Sequence, residues 1–164
     1  MQPSDDADPG LDGVLTWNLV RVARFAGYRM TLALADHGIN PIHFGVLAFL
    51  AVYPEMTTSE IARAVLVRPQ SMSPLLDGME QRGLIRRTGA RARGRRNPVQ
   101  ITDTGRQTLD AVWGVAQATS DLGDAGLTAD ESRQLNELLL KIVRATSDAP
   151  RPDASLYPAS DGDA

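Results

Sequence analysis

The sequence of 164 residues has no cysteine, which excludes disulfides, thiolate metal sites, iron–sulfur clusters and cysteine nucleophiles. It also lacks any apolar run near the roughly 18 residues of a membrane span. The first ten residues are acidic and polar, unlike a secretory signal. We therefore expect a cytoplasmic protein without a membrane partner. The 43% hydrophobic and 23% charged residues are typical of a globular domain.

The net charge of −3 conceals a strongly basic block. Residues 82–106 contain eight arginines and a single acid, Asp103, giving +7 and leaving −10 for the rest of the chain. A block this one-sided indicates a polyanionic partner. The overall pI near 5.3 argues against indiscriminate binding to nucleic acid.

Both ends of the chain have little that a core could bury. Residues 1–10 and about 146–164 are rich in proline, aspartate, serine, glycine and alanine, a composition typical of disordered tails. Neither a repeat nor an inner linker divides the remainder. One domain is therefore expected over residues 11–145.

The centre of the chain has the pattern of two helices joined by a turn. The segment Thr57–Glu60 forms a capping box, which predicts a short helix over about 58–65. After a break at Leu66–Arg68, a second helical segment covers about 69–82 and ends at Gly83. This order is the helix-turn-helix arrangement.

Two short strands follow, at Leu84–Thr88 and Pro98–Thr102, with a basic, glycine-containing hairpin tip between them. A helix-turn-helix followed by a basic hairpin is a winged helix. Apolar residues at helical spacing predict further helices over about 11–37, 41–53, 103–121 and from a capping box at Thr128–Glu131 to about 145.

Five short motifs follow one another along this pattern. They are Phe44–Leu50 (FGVLAFL), Ser59–Ala62 (SEIA), Leu76–Ile85 (LDGMEQRGLI), Gly94–Arg96 (GRR) and Val99–Gly105 (VQITDTG). In these motifs and their spacing the chain resembles the MarR family of transcriptional regulators, over about residues 14–145.

The resemblance implies a mainly α fold, a winged helix-turn-helix with a helical dimerisation layer from the N- and C-terminal helices. Residues 11–40 and 103–145 form the layer in this interpretation, and residues 41–102 form the winged-helix DNA-binding lobe. The implied partners are double-stranded DNA carrying a pseudo-palindromic operator, a second copy of the chain, and a small-molecule effector.

Two residues depart from the family's pattern. Gly94 stands where the wing usually has an aspartate that braces the tip arginine, here Arg96. Pro74 lies in the recognition helix. If that helix begins at Pro69, Pro74 loses a backbone hydrogen bond at a cost of about 3 kcal/mol. If Ser73 is the N-cap instead, nothing is lost and the helix is shorter. The sequence leaves both alternatives open.

A recognition helix presents its N-terminal side chains to base edges in the major groove, where glutamine pairs with adenine and arginine with guanine. The candidates are Arg68, Gln70, Ser71 and Ser73. The alternative is that they are merely exposed turn residues. The hairpin tip supplies arginines for the minor groove, or else forms a solvated charged loop. These arginines are Arg91, Arg93, Arg95 and Arg96, of which the resemblance favours Arg96.

Two aromatic and two basic side chains lie along one face of the first helix, a combination that suits an aromatic acid through charge and stacking. They are Trp17, Arg21, Arg24 and Tyr28. His43, at the start of the second helix, is a further candidate for the same ligand site. The alternative is that the aromatic residues belong to a dimer core, that the arginines pair with acids, and that His43 is structural.

No Ser/His/Asp constellation, phosphate-binding glycine loop or metal triad is recognisable in the sequence, so neither an enzyme nor a cofactor is expected. The hypothesis is a homodimeric, sequence-specific DNA-binding repressor that a small aromatic or lipophilic ligand releases from its operator. The alternatives are a winged helix used for protein–protein contact and a DNA-binding protein without an effector.

Overall fold

The computed structural model describes residues 10–89 and 97–146. The helices in this part of the chain are α1 (Leu15–Leu34), α2 (Pro41–Val52), α3 (Thr58–Ala64), α4 (Pro69–Gln81), α5 (Asp103–Ala118) and α6 (Ala129–Thr146), and the strands are β1 (Ile85–Arg87) and β2 (Val99–Ile101). Among these residues, no helix combines the length and apolar character that crossing a membrane requires. The mainly α winged-helix order expected from the sequence is confirmed.

The helices begin where local side chains cap them. The Asn40 side chain accepts a hydrogen bond from the His43 backbone amide at 2.8 Å and so begins α2. Thr57 and Glu60 form a capping box at the start of α3. The Thr102 hydroxyl accepts from the Gly105 amide at the start of α5. These signals lie within four residues of sequence, which is why the predicted helix starts are nearly right.

The core lies between the helix-turn-helix, the sheet and helices α2 and α5. The strands pair antiparallel, with Ile85 opposite Ile101, and an isolated bridge from Met56 to Val99 adds a third segment. The largest fully buried side chains are Leu34, Val46, Leu47, Leu50, Ile61, Met72, Leu76, Met79, Ile85, Val99 and Val112. Gly105 lets α5 begin against the sheet, because a Cβ there would collide with the Leu84 carbonyl oxygen.

The two alternatives for the recognition helix are resolved. Helix α4 begins at Pro69 and continues through Pro74 to Gln81. Proline has no amide hydrogen, so the Gln70 carbonyl lacks its usual partner four residues on. The helix nevertheless keeps its full length, and its apolar side is anchored in the core by Met72, Leu76 and Met79.

Helices α1 and α6 leave most of their apolar side chains uncovered. Leu34 is the only buried residue of α1, and none of residues 129–145 in α6 is buried. The exposed apolar residues of these two helices include Leu15, Val20, Val22, Phe25, Leu32, Leu138, Leu139, Leu140, Ile142 and Val143. An amphipathic helix with an open apolar side is typical of an interface rather than of a monomer surface.

One ion pair ties α1 to the connection between α5 and α6. The Arg29 guanidinium donates to the Asp124 carboxylate at 2.6 Å and to the Asp121 carbonyl oxygen at 2.9 Å. The hydrogen bond from Arg29 holds the pKa of Asp124 below its ordinary value. Arg29 also lies over the Phe25 ring, 5.5 Å from its centroid.

Candidate nucleic-acid interface and ligand site

Helix α4 presents a polar side opposite its anchored apolar side. Gln70, Ser71 and Ser73 are exposed, and within the described residues their side chains have no hydrogen-bond partner. Arg68 is the N-cap residue of this helix and is half-buried. The structure therefore brings the four predicted groove residues together at the N-terminal half of one rigid helix, and the three exposed side chains offer hydrogen-bonding groups to a partner.

The turn before α4 contains a feature that the sequence did not reveal. Leu66 adopts φ = 58°, the only positive φ of a residue other than glycine in the described chain. Its side chain is 79% exposed. The left-handed conformation costs a residue with a Cβ about 1–2 kcal/mol, and the small amount of burial offsets little of that cost. A glycine or asparagine would have signalled this conformation, whereas a leucine does not.

Three arginines of the basic block are engaged within the protein. Arg82 donates to the Gly38 carbonyl oxygen at 2.7 Å. Arg86 donates to the side chain of Gln100 at 2.9 Å. The Arg87 guanidinium lies against two carboxylates of α4 and is only 10% exposed. The hairpin-tip candidates Arg91, Arg93, Arg95 and Arg96 lie outside the described residues.

The candidate ligand residues of α1 are exposed and lie along the helix at turn-by-turn intervals. Trp17 is 38% exposed and Tyr28 is 65% exposed. Arg21 forms a loose ion pair with Asp12 at 3.7 Å between exposed side chains. Arg24 makes no ion pair or hydrogen bond with any described residue, so of the two arginines it is the more available to an anion.

His43 lies at the start of α2, and no described contact joins it to the candidates on α1. Its Nδ1 accepts a hydrogen bond from the Asn40 backbone amide at 3.3 Å. Burial and then the nearby charge of Arg82 lower the pKa of His43, so the neutral imidazole is favoured. Since Nδ1 is the acceptor, Nε2 carries the proton and can donate to an anion or a phenol.

An aromatic pair involves the residue after His43. The rings of Phe44 and Trp113 have their centroids 5.5 Å apart, and Trp113 on α5 remains 46% exposed. The pair offers an apolar aromatic surface at the start of α2. Its two members come from distant parts of the chain, so only the fold shows that they meet.

No group of three histidine, aspartate or glutamate side chains in residues 10–89 and 97–146 is placed to hold a metal ion.

Comparison with known proteins finds similarity to one family of transcriptional regulators. The model of the MarR family matches residues 37–96, from the end of the first helical segment into the hairpin. The HTH-type transcriptional repressor Rv2887 of Mycobacterium tuberculosis is 29% identical over 131 residues, which are 80% of this chain and 94% of that protein. The HTH-type transcriptional repressor MdtR of Bacillus subtilis is 28% identical over 116 residues, 71% of this chain and 75% of that protein.

Solved structures agree with the sequence comparison. Rv2887 in complex with DNA matches with a TM-score of 0.64 and 28% identity, covering 78% of this chain and 96% of that one. Its complex with p-aminosalicylic acid gives a TM-score of 0.65 at 28% identity, covering 78% and 97%. Wild-type MarR from E. coli, at 22% identity and a TM-score of 0.67 over 79% and 96% of the two chains, shares the fold. The chain is similar to winged helix-turn-helix transcriptional regulators of the MarR family, whose model matches residues 37–96, and its described residues share their fold.

Proposed function

We propose that the chain is a homodimeric repressor that binds a pseudo-palindromic operator through α4 and is released from it by a small aromatic acid. The observation that carries this proposal is α4 itself, a helix anchored in the core with Gln70, Ser71 and Ser73 exposed at its N-terminal half. The match to a relative solved with DNA supports the same partner. Similarity to transcriptional regulators favours a DNA-binding protein over an enzyme, and a DNA partner is consistent with a cytoplasmic location.

In this proposal the DNA contacts divide between the two grooves. Gln70 and Arg68 read base edges in the major groove, and Ser71 and Ser73 donate to phosphates or bases. The arginines of the hairpin tip, Arg91, Arg93, Arg95 and Arg96, neutralise phosphates or enter the minor groove. Arg82, Arg86 and Arg87 are engaged within the protein, which leaves the electrostatic contact chiefly to the tip.

The dimer is supported by the uncovered apolar sides of α1 and α6. Complete burial of a Leu, Ile or Val side chain contributes about 1.5–3 kcal/mol, so covering each half-exposed one contributes about 1 kcal/mol. Several such residues on each helix, doubled by a two-fold axis, exceed the cost of ordering a dimer. In the proposed division, residues 11–40 and 103–145 form the dimerisation layer and residues 41–102 form the DNA-binding lobe.

The proposed binding of a small aromatic acid depends on arginine charge and on exposed aromatic side chains. A relative was solved with p-aminosalicylic acid and with salicylic acid, both planar aromatic carboxylates. In this chain the counter-charge is Arg24, which has no described partner, or Arg21, which is held only loosely by Asp12. Trp17, Tyr28 and His43 supply stacking and a hydrogen bond. Binding there changes the separation of the two recognition helices, and a 100-fold loss of operator affinity needs about 2.7 kcal/mol of coupling.

The test is fluorescence anisotropy of a labelled duplex from the region upstream of the gene, compared with a random duplex of equal length. The wild type should prefer the operator, and the Gln70→Ala variant should lose about 1–3 kcal/mol of that preference. Salicylate should then release the wild type, with Arg24→Ala requiring more acid than Arg21→Ala. Equal binding to both duplexes contradicts sequence-specific recognition, and equal release of all three proteins contradicts the assignment of the arginines.

A further inference from the structure

Arg87 joins the first strand of the hairpin to the recognition helix. One guanidinium nitrogen, Nη1, forms an ion pair with the Asp77 carboxylate at 2.7 Å and donates to the Glu80 carboxylate at 2.6 Å. The Arg87 backbone amide also donates to the second oxygen of Glu80, at 3.0 Å. The Arg87 side chain is nearly buried, at 10% exposed. We call these three residues the helix–strand clamp.

The clamp fixes position as well as charge. Asp77 and Glu80 are three residues apart and so lie on one side of α4. Glu80 uses both carboxylate oxygens, one for the backbone and one for the side chain of Arg87. Charge-assisted hydrogen bonds of this kind are the strong ones in proteins, and together they define both the distance and the angle between α4 and β1.

The charge of the clamp points away from direct DNA contact. Two carboxylates surround one guanidinium, so the cluster has a formal charge of −1, and a nearly buried Arg87 cannot reach a phosphate without breaking these bonds. Sequence reasoning counted Arg87 within the basic block, but the structure places its charge on the protein's own acids.

We propose that Arg87, Asp77 and Glu80 are positioning residues that hold the recognition helix in register with the hairpin, so that both engage one duplex together. The inference rests on the proposed DNA binding. A protein that binds two grooves at once gains affinity because both contacts form together. If the helix and the hairpin tilt relative to each other, only one of the two contacts can form. The clamp therefore determines operator affinity without touching DNA.

The decisive variant is Glu80→Gln, because it separates the explanations by the sign of its effect. Glutamine has one oxygen where Glu80 uses two, so one clamp bond is lost and a negative charge is removed. If Arg87 contacted phosphate, freeing it and removing an acid would tighten DNA binding. We expect the opposite, an operator affinity about tenfold weaker, equivalent to about 1.4 kcal/mol, with the ratio of operator to random-duplex affinity reduced.

The matched control is Glu55→Gln. Glu55 accepts a hydrogen bond from the Gln100 side chain at 2.6 Å beside the same sheet, and a glutamine oxygen preserves that bond while the charge is lost. Its operator affinity should be unchanged or slightly tighter. Asp77→Asn, at a side chain about half exposed, is a milder second clamp variant and should weaken operator binding in the same direction.

All variants are measured by anisotropy at a temperature where circular dichroism shows each to be folded, across a range of salt. A clamp variant that disengages the hairpin should also show a shallower salt dependence, by about 0.9 for each phosphate that the protein no longer neutralises. The inference is overturned if both clamp variants, while folded, bind the operator as tightly as the wild type or more tightly. This holds even if their thermal unfolding midpoints are lower, because the clamp would then stabilise the fold without affecting DNA binding. If the wild type itself does not prefer the operator, it is the proposed function that fails.

Discussion

The turn between α3 and α4 should become more stable when Leu66 is replaced by asparagine. Leu66 has φ = 58°, and a left-handed residue with a Cβ costs about 1–2 kcal/mol. Asparagine tolerates this conformation because its short polar side chain hydrogen-bonds locally. Since Leu66 is 79% exposed, its replacement forfeits little burial. We expect Leu66→Asn to gain about 1 kcal/mol in free energy of unfolding.

Glycine at the same position should gain less. It relieves the strain equally, but it loses about 0.5–1 kcal/mol through the greater freedom of the unfolded chain. Val52→Asn is the matched control, because Val52 is also exposed, at 70%, and lies at the end of α2 with negative φ. That change should be neutral or destabilising.

The assay is urea unfolding followed by circular dichroism, at one protein concentration for all variants because a dimer's stability depends on concentration. The expected order is Leu66→Asn, then Leu66→Gly, then wild type, then Val52→Asn. A Leu66→Asn variant that is less stable than the wild type would mean that the exposed leucine side chain contributes more to stability than its left-handed backbone costs.

Two further predictions concern pH and assembly. Burial and the charge of Arg82 lower the pKa of His43 below 6.5. Near and below pH 6.5 the unfolded chain therefore binds more protons than the folded chain, and the free energy of unfolding should fall as the pH drops through 6.5. In urea unfolding between pH 7.5 and 5.5, His43→Gln should make this pH dependence less steep, and an unchanged pH dependence would contradict the assignment to His43. Ile142→Asp should convert a micromolar dimer to monomer in sedimentation equilibrium, whereas Lys141→Asp, on the polar face of α6, should not; a dimeric Ile142→Asp protein would show that α6 is not the interface.

Local signals in the sequence were sufficient to predict most of the fold. The caps at Asn40, Thr57 and Thr102 each join residues three apart, and their helices begin within a residue of the predicted positions. The ends were less exact: the helix predicted over 103–121 stops at Ala118. A helix end depends on the last turn and its surroundings, for which the sequence has weaker signals.

The features that sequence reasoning missed depend on distant partners or on backbone geometry. In the sequence Arg87 is one of the eight arginines of the basic block, and only the fold shows that it pairs with Asp77 and Glu80. The contact of Phe44 with Trp113 likewise needs α2 and α5 side by side. Pro74 permitted two helix starts, and packing of Met72 into the core accompanies the longer helix. The predicted site residues of α4 and α1 remain predictions until partners are bound.

In the proposed complex two copies of α4 read one operator, and DNase footprinting of the region upstream of the gene can show both contacts at once. We expect two protected half-sites related by a two-fold axis, with centres about one helical turn, or 10–10.5 base pairs, apart. The protection should disappear from both half-sites together as salicylate is added. A single protected half-site, or no protection at concentrations where the protein is dimeric, would show that two copies of α4 do not read one operator.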